Sequence, residues 1–295
     1  MSTPVIEIRD LVHRYGRTEA LHGLSLTVDA GRCYGFFGRN GAGKTTTIKC
    51  LLNLLRPDAG TVRVFGLDPA RDEEEIKSRI AYVPDFVSFY PWMSVAEALE
   101  YQAAFRRRWS LEIQAQLLAR FRLDPDAPTS GLSKGQRTQL ALVGAIAAEP
   151  DMLILDEPTS GLDPLVRREF IQTVIGAYQE ADPGNRTVFV STHLITEFEG
   201  LIDRFTIVDQ GRNILTADAD TARSEYRRLL AEFEADVPEA EWMRKTPRLK
   251  RRGRILELVV GPEVDPAAEE LHRMRPTRIR EEALSLEEIF MNAVR

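Results

Sequence analysis

Cysteines and long hydrophobic segments are scarce in this sequence. Only two cysteines, Cys33 and Cys50, occur among 295 residues, and they show no pairing pattern. A disulfide framework is therefore excluded, and a reducing compartment is indicated. The longest strongly apolar run covers residues 140–148, far fewer than the roughly 20 residues that span a bilayer. We therefore expect any membrane role to depend on a partner protein.

The sequence also lacks a recognisable export signal and an excess of basic charge. Its first ten residues, MSTPVIEIRD, place Glu7 and Asp10 where a signal peptide needs apolar residues. The 39 basic and 45 acidic residues give a net charge of −6, so we expect no nucleic-acid partner held by overall charge. A hydrophobic fraction of 43% and a charged fraction of 28% are typical of a globular protein.

Short apolar runs alternate with helical patterns along the first two thirds of the chain. A β-rich run at residues 32–37 leads through glycines into a helical pattern at residues 45–55. Further helical patterns lie between about residues 86 and 148. Short apolar runs follow at residues 152–155, 187–190 and 205–208. Buried strands separated by helices predict an α/β fold with a parallel sheet.

The chain becomes rich in arginine and glutamate after about residue 217, where we expect a small α+β domain. Ser285 with Glu288 matches a capping box at the start of the last helix. The other expected elements are a helix at 221–233, a hairpin around Gly253 with a strand at 255–260, a helix at 266–274 and a strand near 277–280. Residues 244–254 carry seven basic side chains. These form either a patch for phosphate or lipid headgroups or the solvated surface of the hairpin.

A glycine-rich segment lies between the strand at 32–37 and the following helix. Residues 38–46 read GRNGAGKTT and satisfy the pattern G-x-x-x-x-G-K-[ST] in the strand-to-helix context that supports it. Three glycines let successive backbone N–H groups surround phosphate oxygens, and the helix start adds the positive end of its dipole. Lys44 is then placed to neutralise the β- and γ-phosphates, and the Thr45 hydroxyl to ligate Mg²⁺. We call residues 38–46 the glycine loop.

Two acidic residues follow the apolar run at 152–155. Residues 152–157 read MLILDE, which places both carboxylates at the carboxyl end of a strand, the edge where open α/β sheets bind ligands. Asp156 is the candidate ligand for Mg²⁺ through its water shell. Glu157 is the candidate general base that polarises the attacking water.

A serine motif at residues 131–135 admits a different chemistry. GLSKG formally matches the nucleophile elbow G-x-S-x-G. That motif needs a buried strand before the serine, and residues 124–130 (DPDAPTS) read instead as a proline-rich loop. The hydrolase interpretation therefore fails on context. Residues 132–136 (LSKGQ) are better explained as the cap of a helix whose N-terminus faces an anion, with Ser133 as a hydroxyl donor.

The order GRNGAGKTT, LSKGQ, ILDEPTSGLD and STH resembles the motifs of the nucleotide-binding subunits of ABC transporters, and the small C-terminal domain resembles those of the bacterial drug- and antibiotic-export branch. The resemblance covers about residues 5–217. It implies a P-loop ATPase core over residues 1–217, with a mixed sheet and a helical subdomain at about 86–148, followed by a small α+β domain at 218–295.

The resemblance also assigns roles to particular residues. The implied catalytic residues are Glu157, His193 and Lys44. The implied metal ligands are Thr45, Asp156 and Asp85. The implied nucleotide-binding residues are Tyr15, which would stack on adenine, with Gly38, Arg39, Asn40, Gly41, Ala42, Gly43, Lys44, Thr45 and Thr46. The implied signature, which would act on the ATP of a partner subunit, comprises Leu132, Ser133, Lys134, Gly135 and Gln136. Asp163 corresponds to the D-loop aspartate, which would cross the interface between two subunits.

Two positions depart from the family pattern. Asp85 stands where the family usually carries a glutamine. An aspartate can ligate Mg²⁺, but it adds negative charge near a triphosphate. Lys134 replaces the first glycine of the signature, and its ammonium can either reach a phosphate or lie in solvent.

The resemblance implies a Mg²⁺-dependent ATPase that dimerises on ATP, with a copy of itself or with a second ABC ATPase. It implies that the dimer drives a separately encoded transmembrane permease, for export, from the cytoplasmic face of the membrane. The apolar aromatics beside prolines between Asp85 and Trp92 are candidates for the contact with that permease, and the alternative is that they pack within a loop. An alternative is an ABC ATPase that acts as a mechanical switch on a non-membrane partner. A third interpretation, a nucleotide sensor with little turnover, is disfavoured by the presence of Glu157.

Overall fold

A computed structural model describes residues 4–160, 162, 167, 171, 178, 182, 184–262 and 265–294. The chain divides into two compact units, Met1–Asn213 and Ile214–Arg295. The division falls within a strand, Arg212–Asp218, that also contains the boundary predicted from the sequence. Within the described ranges, no helix combines the length and the apolar character needed to cross a bilayer.

The strands of the first unit are β1 Ile6–Tyr15, β2 Thr18–Val28, β3 Cys33–Gly38, β4 Ala59–Val64, β5 Ile80–Val83, β6 Met152–Asp156, β7 Thr187–Thr192, β8 Arg204–Asp209 and β9 Arg212–Asp218, the last of which crosses the division. The described helices of this unit are α1 Lys44–Leu51, α2 Glu73–Arg79, α3 Val95–Ala103, α4 Leu111–Phe121, α5 Lys134–Ala147 and α6 Ile195–Phe198. Helices α2 and α6 and strands β4, β5 and β9 were not predicted from the sequence.

Two sheets organise the first unit. An antiparallel sheet has the order β2-β1-β4, and a six-stranded sheet has the order β5-β6-β7-β3-β8-β9. Along the order β5-β6-β7-β3-β8, each strand is parallel to the next. Because β3, β6 and β7 are buried along their whole length, their continuous apolar runs are those of a parallel sheet covered on both faces.

The register of this sheet decides where the site lies. Asp156 at the end of β6 pairs with Ser191 of β7, and Thr192 pairs with Phe37, one residue before the glycine loop. The carboxyl ends of three neighbouring strands therefore meet at one edge, as expected for a ligand site in an open α/β sheet.

Helices α3, α4 and α5 form the predicted helical segment. Ser94 caps α3 and Ser133 caps α5, each in a capping box with the residue three positions later. Helix α5 packs against both α3 and α4. The prediction that residues 132–136 cap a helix is confirmed, since α5 begins at Lys134 with Ser133 as its N-cap.

The second unit contains a four-stranded antiparallel sheet of order β11-β12-β10-β13. The apolar core beside this sheet includes Leu229, Leu256, Leu258 and Leu271. Its strands are β10 Arg227–Glu232, β11 Leu249–Arg252, β12 Ile255–Val260 and β13 Arg278–Ala283. Its helices are α7 Ala219–Glu225, α8 Glu241–Arg244, α9 Pro266–Arg273 and α10 Leu286–Ala293. The predicted capping box at Ser285 is confirmed.

The predicted helix over residues 221–233 is wrong. Helix α7 ends at Glu225, and after Tyr226 the six residues Arg227–Glu232 form β10. Leu229 and Ala231 are buried there in alternation, and β10 is paired on both sides, with β12 and with β13. Pairing on two edges and burial of one face outweigh the helical propensity of the segment RRLLAE.

Candidate nucleotide-binding site

The glycine loop connects β3 to α1 in a conformation that depends on its glycines. Gly41 and Gly43 have φ angles of +82° and +102°, in the left-handed region that side chains disfavour. A Cβ on Gly43 would also lie 2.7 Å from Leu21 Cδ2. Helix α1 begins at Lys44 and has no acidic residue in its first turn. The positive end of its dipole is therefore available to an anion.

Lys44 is buried beneath this loop. Its Nζ donates to the carbonyl oxygens of Gly38, at 2.7 Å, and Arg39, at 3.3 Å. The same ammonium lies 3.1 Å from Glu157 Oε1, an ion pair between two largely buried side chains. The positive charge of Lys44 therefore lies beside Glu157, the residue that directly follows β6.

Asp156 lies between two hydroxyl groups. Thr45 Oγ1 donates to Asp156 Oδ2 at 2.7 Å, and Ser191 Oγ donates to Oδ1 at 2.8 Å. Burial raises the pKa of Asp156, although both hydrogen bonds oppose that shift. A buried carboxylate without a cation hydrogen-bonded to it is an environment that favours binding of a positive ion.

These oxygens suit Mg²⁺, which the family implies. A hydroxyl and a carboxylate are hard donors of the kind Mg²⁺ prefers, and the ion commonly uses one or two protein ligands beside water and substrate phosphates. Among the described residues, no group of three or more His, Cys, Asp or Glu side chains is arranged to hold a metal. The pair Thr45 and Asp156 therefore fits an ion that also relies on phosphate oxygens.

Glu157 has a strained backbone and a fixed carboxylate. Its φ angle is +48°, uncommon for a residue with a side chain and frequent at functional sites. Oε2 accepts from Thr192 Oγ1 at 3.1 Å and lies 2.8 Å from His193 Nδ1. Because an ionised carboxylate only accepts, Nδ1 carries the proton. Glu157 thus bridges His193 on one side and Lys44 on the other.

Ser191 and Thr192 were not predicted from the sequence to have a role, although Ser191 donates to Asp156 and Thr192 to Glu157. Ser191 binds the side chain of Asp156, and its carbonyl accepts from the N–H of Glu157 at 2.8 Å. The available signal was the segment STH directly after a buried strand. Its hydroxyls can be placed on Asp156 and Glu157 only when the pairing of β6 with β7 is known.

Tyr15 lies at the end of β1 and is 48% exposed. Its ring meets the ring of His13 edge to face, with centroids 4.8 Å apart. His13 is buried, and its Nδ1 lies 3.1 Å from the carbonyl oxygen of Arg56. The contact leaves part of the tyrosine open to solvent, and its role in stacking on adenine stays a prediction.

The signature residues lie at the start of α5. Leu132 is buried, and Ser133 accepts from the N–H of Gln136 while its own N–H donates to the Gln136 side chain. Lys134 contacts Ser160 and Asp85. Within the described part of the chain, none of the hydrogen bonds or ion pairs of these residues joins them to the glycine loop. Asp163 lies outside the described residues.

Asp85 is the one candidate metal ligand that the structure places beside a cation. Its Oδ1 lies 3.5 Å from Lys134 Nζ, and both side chains are about half exposed. Lys134 therefore contacts a carboxylate in this chain while about half of its side chain remains exposed to solvent. Metal binding by Asp85 stays a prediction.

Comparison with known proteins identifies the family. The family described as ABC transporter matches residues 21–160. Nod factor export ATP-binding protein I of Burkholderia orbicola is 36% identical over 225 residues, covering 72% of this chain and 71% of the relative. Bacitracin transport ATP-binding protein BcrA of Bacillus licheniformis is 32% identical, covering 78% and 74%. A solved ATP binding subunit of an ABC transporter is 29% identical with a TM-score of 0.66, covering 75% of this chain and 92% of its own.

The matched region contains the glycine loop, the signature and both carboxylates at the end of β6. The fold is that of the ABC ATPases, which bind ATP, and the resemblance drawn from the four motifs is confirmed. The chain belongs to the ABC transporter family, as an ATP-binding subunit with ATPase chemistry.

Proposed function

We propose that this chain hydrolyses ATP in the presence of Mg²⁺, dimerises on that nucleotide, and drives export through a separately encoded permease at the inner face of the membrane. The observation that carries the proposal is the convergence of Lys44, Asp156, Glu157 and His193 at one sheet edge. The names of two relatives, which refer to Nod factor export and to bacitracin transport, support a transport role.

The chain's own residues account for binding and hydrolysis. Lys44 and the N–H groups of the glycine loop bind the β- and γ-phosphates, and Thr45 with Asp156 would hold Mg²⁺, which supplies further positive charge to the phosphates. Glu157 accepts a proton from the water that attacks the γ-phosphorus. The bond to the leaving oxygen breaks, and ADP and phosphate result.

The contact between Lys44 and Glu157 has a consequence for the order of events. Lys44 Nζ contacts Oε1 of the candidate base Glu157 at 3.1 Å. A triphosphate carries more negative charge than one carboxylate and attracts the ammonium more strongly. Binding of the nucleotide therefore releases Glu157 Oε1 for the attacking water.

The location of the signature supports dimerisation. Its start lies at the N-terminus of α5, and its recorded contacts within the described chain are made away from the glycine loop. A second ATPase subunit, identical or homologous, can bring its signature to the γ-phosphate across the nucleotide. Two positive helix ends then neutralise one triphosphate. Hydrolysis removes the shared anion and shifts the population towards separate subunits.

An aromatic surface supports a contact with the permease. Phe86 and Trp92 are 76% and 73% exposed. The rings of Tyr90 and Trp92 stack with centroids 4.8 Å apart, and Tyr101 packs edge to face on Tyr90. A groove of about 400 Å³ lies beside this surface and is lined by Tyr90, by Tyr101 and by Ala141 and Ala145 of α5. Exposed apolar surface of this kind is typical of a protein interface.

The oligomeric state with nucleotide tests the proposal. Glu157→Gln slows hydrolysis and keeps ATP in place, so we expect it to elute as a dimer with MgATP in size-exclusion chromatography. We expect a monomer after EDTA removes the metal. Lys44→Ala, which lacks the phosphate-binding ammonium, is expected to stay monomeric with MgATP. A Glu157→Gln protein that binds MgATP in calorimetry but remains monomeric at high concentration would contradict the dimer.

A further inference from the structure

The two residues that depart from the family pattern contact each other. Asp85 lies in the loop after β5, and Lys134 is the first residue of α5. They are 49 positions apart in the sequence, yet Asp85 Oδ1 lies 3.5 Å from Lys134 Nζ. The fold thus turns two separate departures into one ion pair.

Lys134 makes a second contact that places it at the centre of three segments. Its Nζ donates to Ser160 Oγ at 3.0 Å. Ser160 follows Glu157 by three residues and β6 by four. One ammonium therefore joins the loop after β5, the signature and the loop after Glu157.

The position of Lys134 in the first turn of its helix favours a nearby anion. A cation in the first turn of a helix faces the positive end of the helix dipole and is disfavoured there. The first turn of α5 contains no acidic residue of its own. Asp85 supplies the missing negative charge from another part of the chain.

The pair is accessible and exchangeable. Lys134 is 48% exposed and Asp85 is 50% exposed. Ion pairs with this degree of exposure contribute little stability and are screened by salt. A group with a higher negative charge can therefore replace Asp85 at the ammonium.

We propose that Asp85 occupies, within each chain, the position that the γ-phosphate of a partner's ATP takes at Lys134. This inference rests on the proposed ATP-driven dimer and names one further positioning residue for it. Asp85 competes with the nucleotide for Lys134, so closure of the dimer requires the ion pair to open. Lys134 then contributes a full positive charge to the γ-phosphate from across the interface.

The proposal predicts opposite effects for the two side chains. In the Glu157→Gln background, Asp85→Asn frees Lys134 and is expected to lower the MgATP concentration for half-maximal dimerisation by about 1.5- to 5-fold, the range expected for an exposed ion pair. Lys134→Gln is expected to raise that concentration. The effect of Asp85→Asn should shrink as KCl is increased from 50 to 500 mM. Analytical ultracentrifugation across a MgATP titration measures both quantities.

The double variant separates this mechanism from an effect of Asp85 on the ATP bound to its own chain. If Asp85 acts through Lys134, Asp85→Asn has no further effect once Lys134→Gln is present. An effect of the same size in both backgrounds would assign Asp85 to its own nucleotide and overturn the proposal. Thermal melting of each variant without nucleotide reports whether it is folded.

Other outcomes are equally decisive. If Asp85→Asn raises the MgATP requirement as Lys134→Gln does, the pair is a tether that supports the signature, and the competition is wrong. If neither substitution changes dimerisation, Lys134 does not meet the nucleotide. A Glu157→Gln parent that never dimerises contradicts the proposed function itself, and this inference with it.

Discussion

Contacts with three side chains fix the carboxylate of Glu157, and its backbone adopts an uncommon conformation. Its backbone adopts φ +48°, its Oε2 accepts from Thr192 and lies beside His193, and its Oε1 faces Lys44. Strain of this kind persists only where surrounding contacts determine it. These contacts hold the carboxylate of Glu157 beside Lys44 of the glycine loop, where the proposed mechanism needs a proton acceptor.

Turnover of Glu157→Gln tests this role. An amide cannot accept the proton of the attacking water, so we expect the rate of phosphate release to fall by about 10²- to 10⁴-fold, the usual contribution of general-base catalysis. Binding of ATP, measured by calorimetry, should persist because the glycine loop is unchanged.

Glu149→Gln is the matched control for that substitution. Glu149 also has a positive φ, +46°, and also pairs with a cation, Arg186, but it precedes β6 instead of following it. It therefore lies at the opposite end of the strand from the site. We expect its turnover to stay within about twofold of the parent. Normal hydrolysis by Glu157→Gln would refute the role of Glu157 as base.

At the scale of elements, three helices use the same device at their start. Ser94, Ser133 and Ser285 each cap a helix in a capping box with Glu97, Gln136 and Glu288 respectively. In α3 and α10 the box satisfies backbone N–H groups and stabilises the helix. In α5 the same box also fixes the first turn of the signature, which links local helix stability to the proposed phosphate contact.

Removal of the caps outside the site is expected to loosen only the helix concerned. Loss of an N-cap costs about 1 kcal/mol, which corresponds to about a fivefold increase in local opening. Hydrogen–deuterium exchange of the full chain should therefore speed up about fivefold in the α3 peptide for Ser94→Ala and in the α10 peptide for Ser285→Ala.

Ser224→Ala serves as the control for Ser285→Ala. The Ser224 hydroxyl donates to the carbonyl of Thr221 and caps no N-terminus. It should leave exchange in α10 unchanged. Uniform acceleration across both units after Ser285→Ala would show that the cap acts through global stability, contrary to the expected local effect.

At the scale of the whole molecule, the catalytic edge and the aromatic surface are joined by the loop after β5. Asp85 contacts the signature through Lys134, and the next residue, Phe86, is among the most exposed apolar side chains of the described chain. One short segment therefore contacts the signature and borders the groove.

Capture of the permease tests the aromatic surface. The tagged chain is used to capture a multipass membrane protein from detergent-solubilised native membranes. We expect the double variant Phe86→Ala with Trp92→Ala to recover less than about one fifth as much of that protein. The two substitutions remove apolar area that a partner would cover. Quantitative mass spectrometry of the eluate measures the change.

Leu111→Ala removes a similarly exposed apolar side chain outside the aromatic surface and serves as the control. It should recover the same amount of membrane protein as the parent. Equal recovery with the double variant would exclude the exposed rings of Phe86 and Trp92 as the docking surface. A ribosomal or other non-membrane protein as the main captured species would favour the mechanical switch.

Sequence alone determined the features that depend on neighbouring residues. The conformation of the glycine loop follows from Gly41 and Gly43, the capping box at Ser285 follows from its spacing to Glu288, and the buried strand before Asp156 follows from one apolar run. Each of these is set by local backbone geometry or by periodicity, so a short segment contains the information needed to predict it.

Tertiary structure alone decided the contacts between distant segments. The bonds of Ser191 to Asp156, Lys44 to Glu157 and Lys134 to Asp85 depend on which strands are neighbours and in which register. The same holds for β10, whose helical sequence became a strand between two partners. Strand pairing brings together residues tens to more than a hundred positions apart, and its free energy comes from packing and hydrogen bonds that no single segment contains.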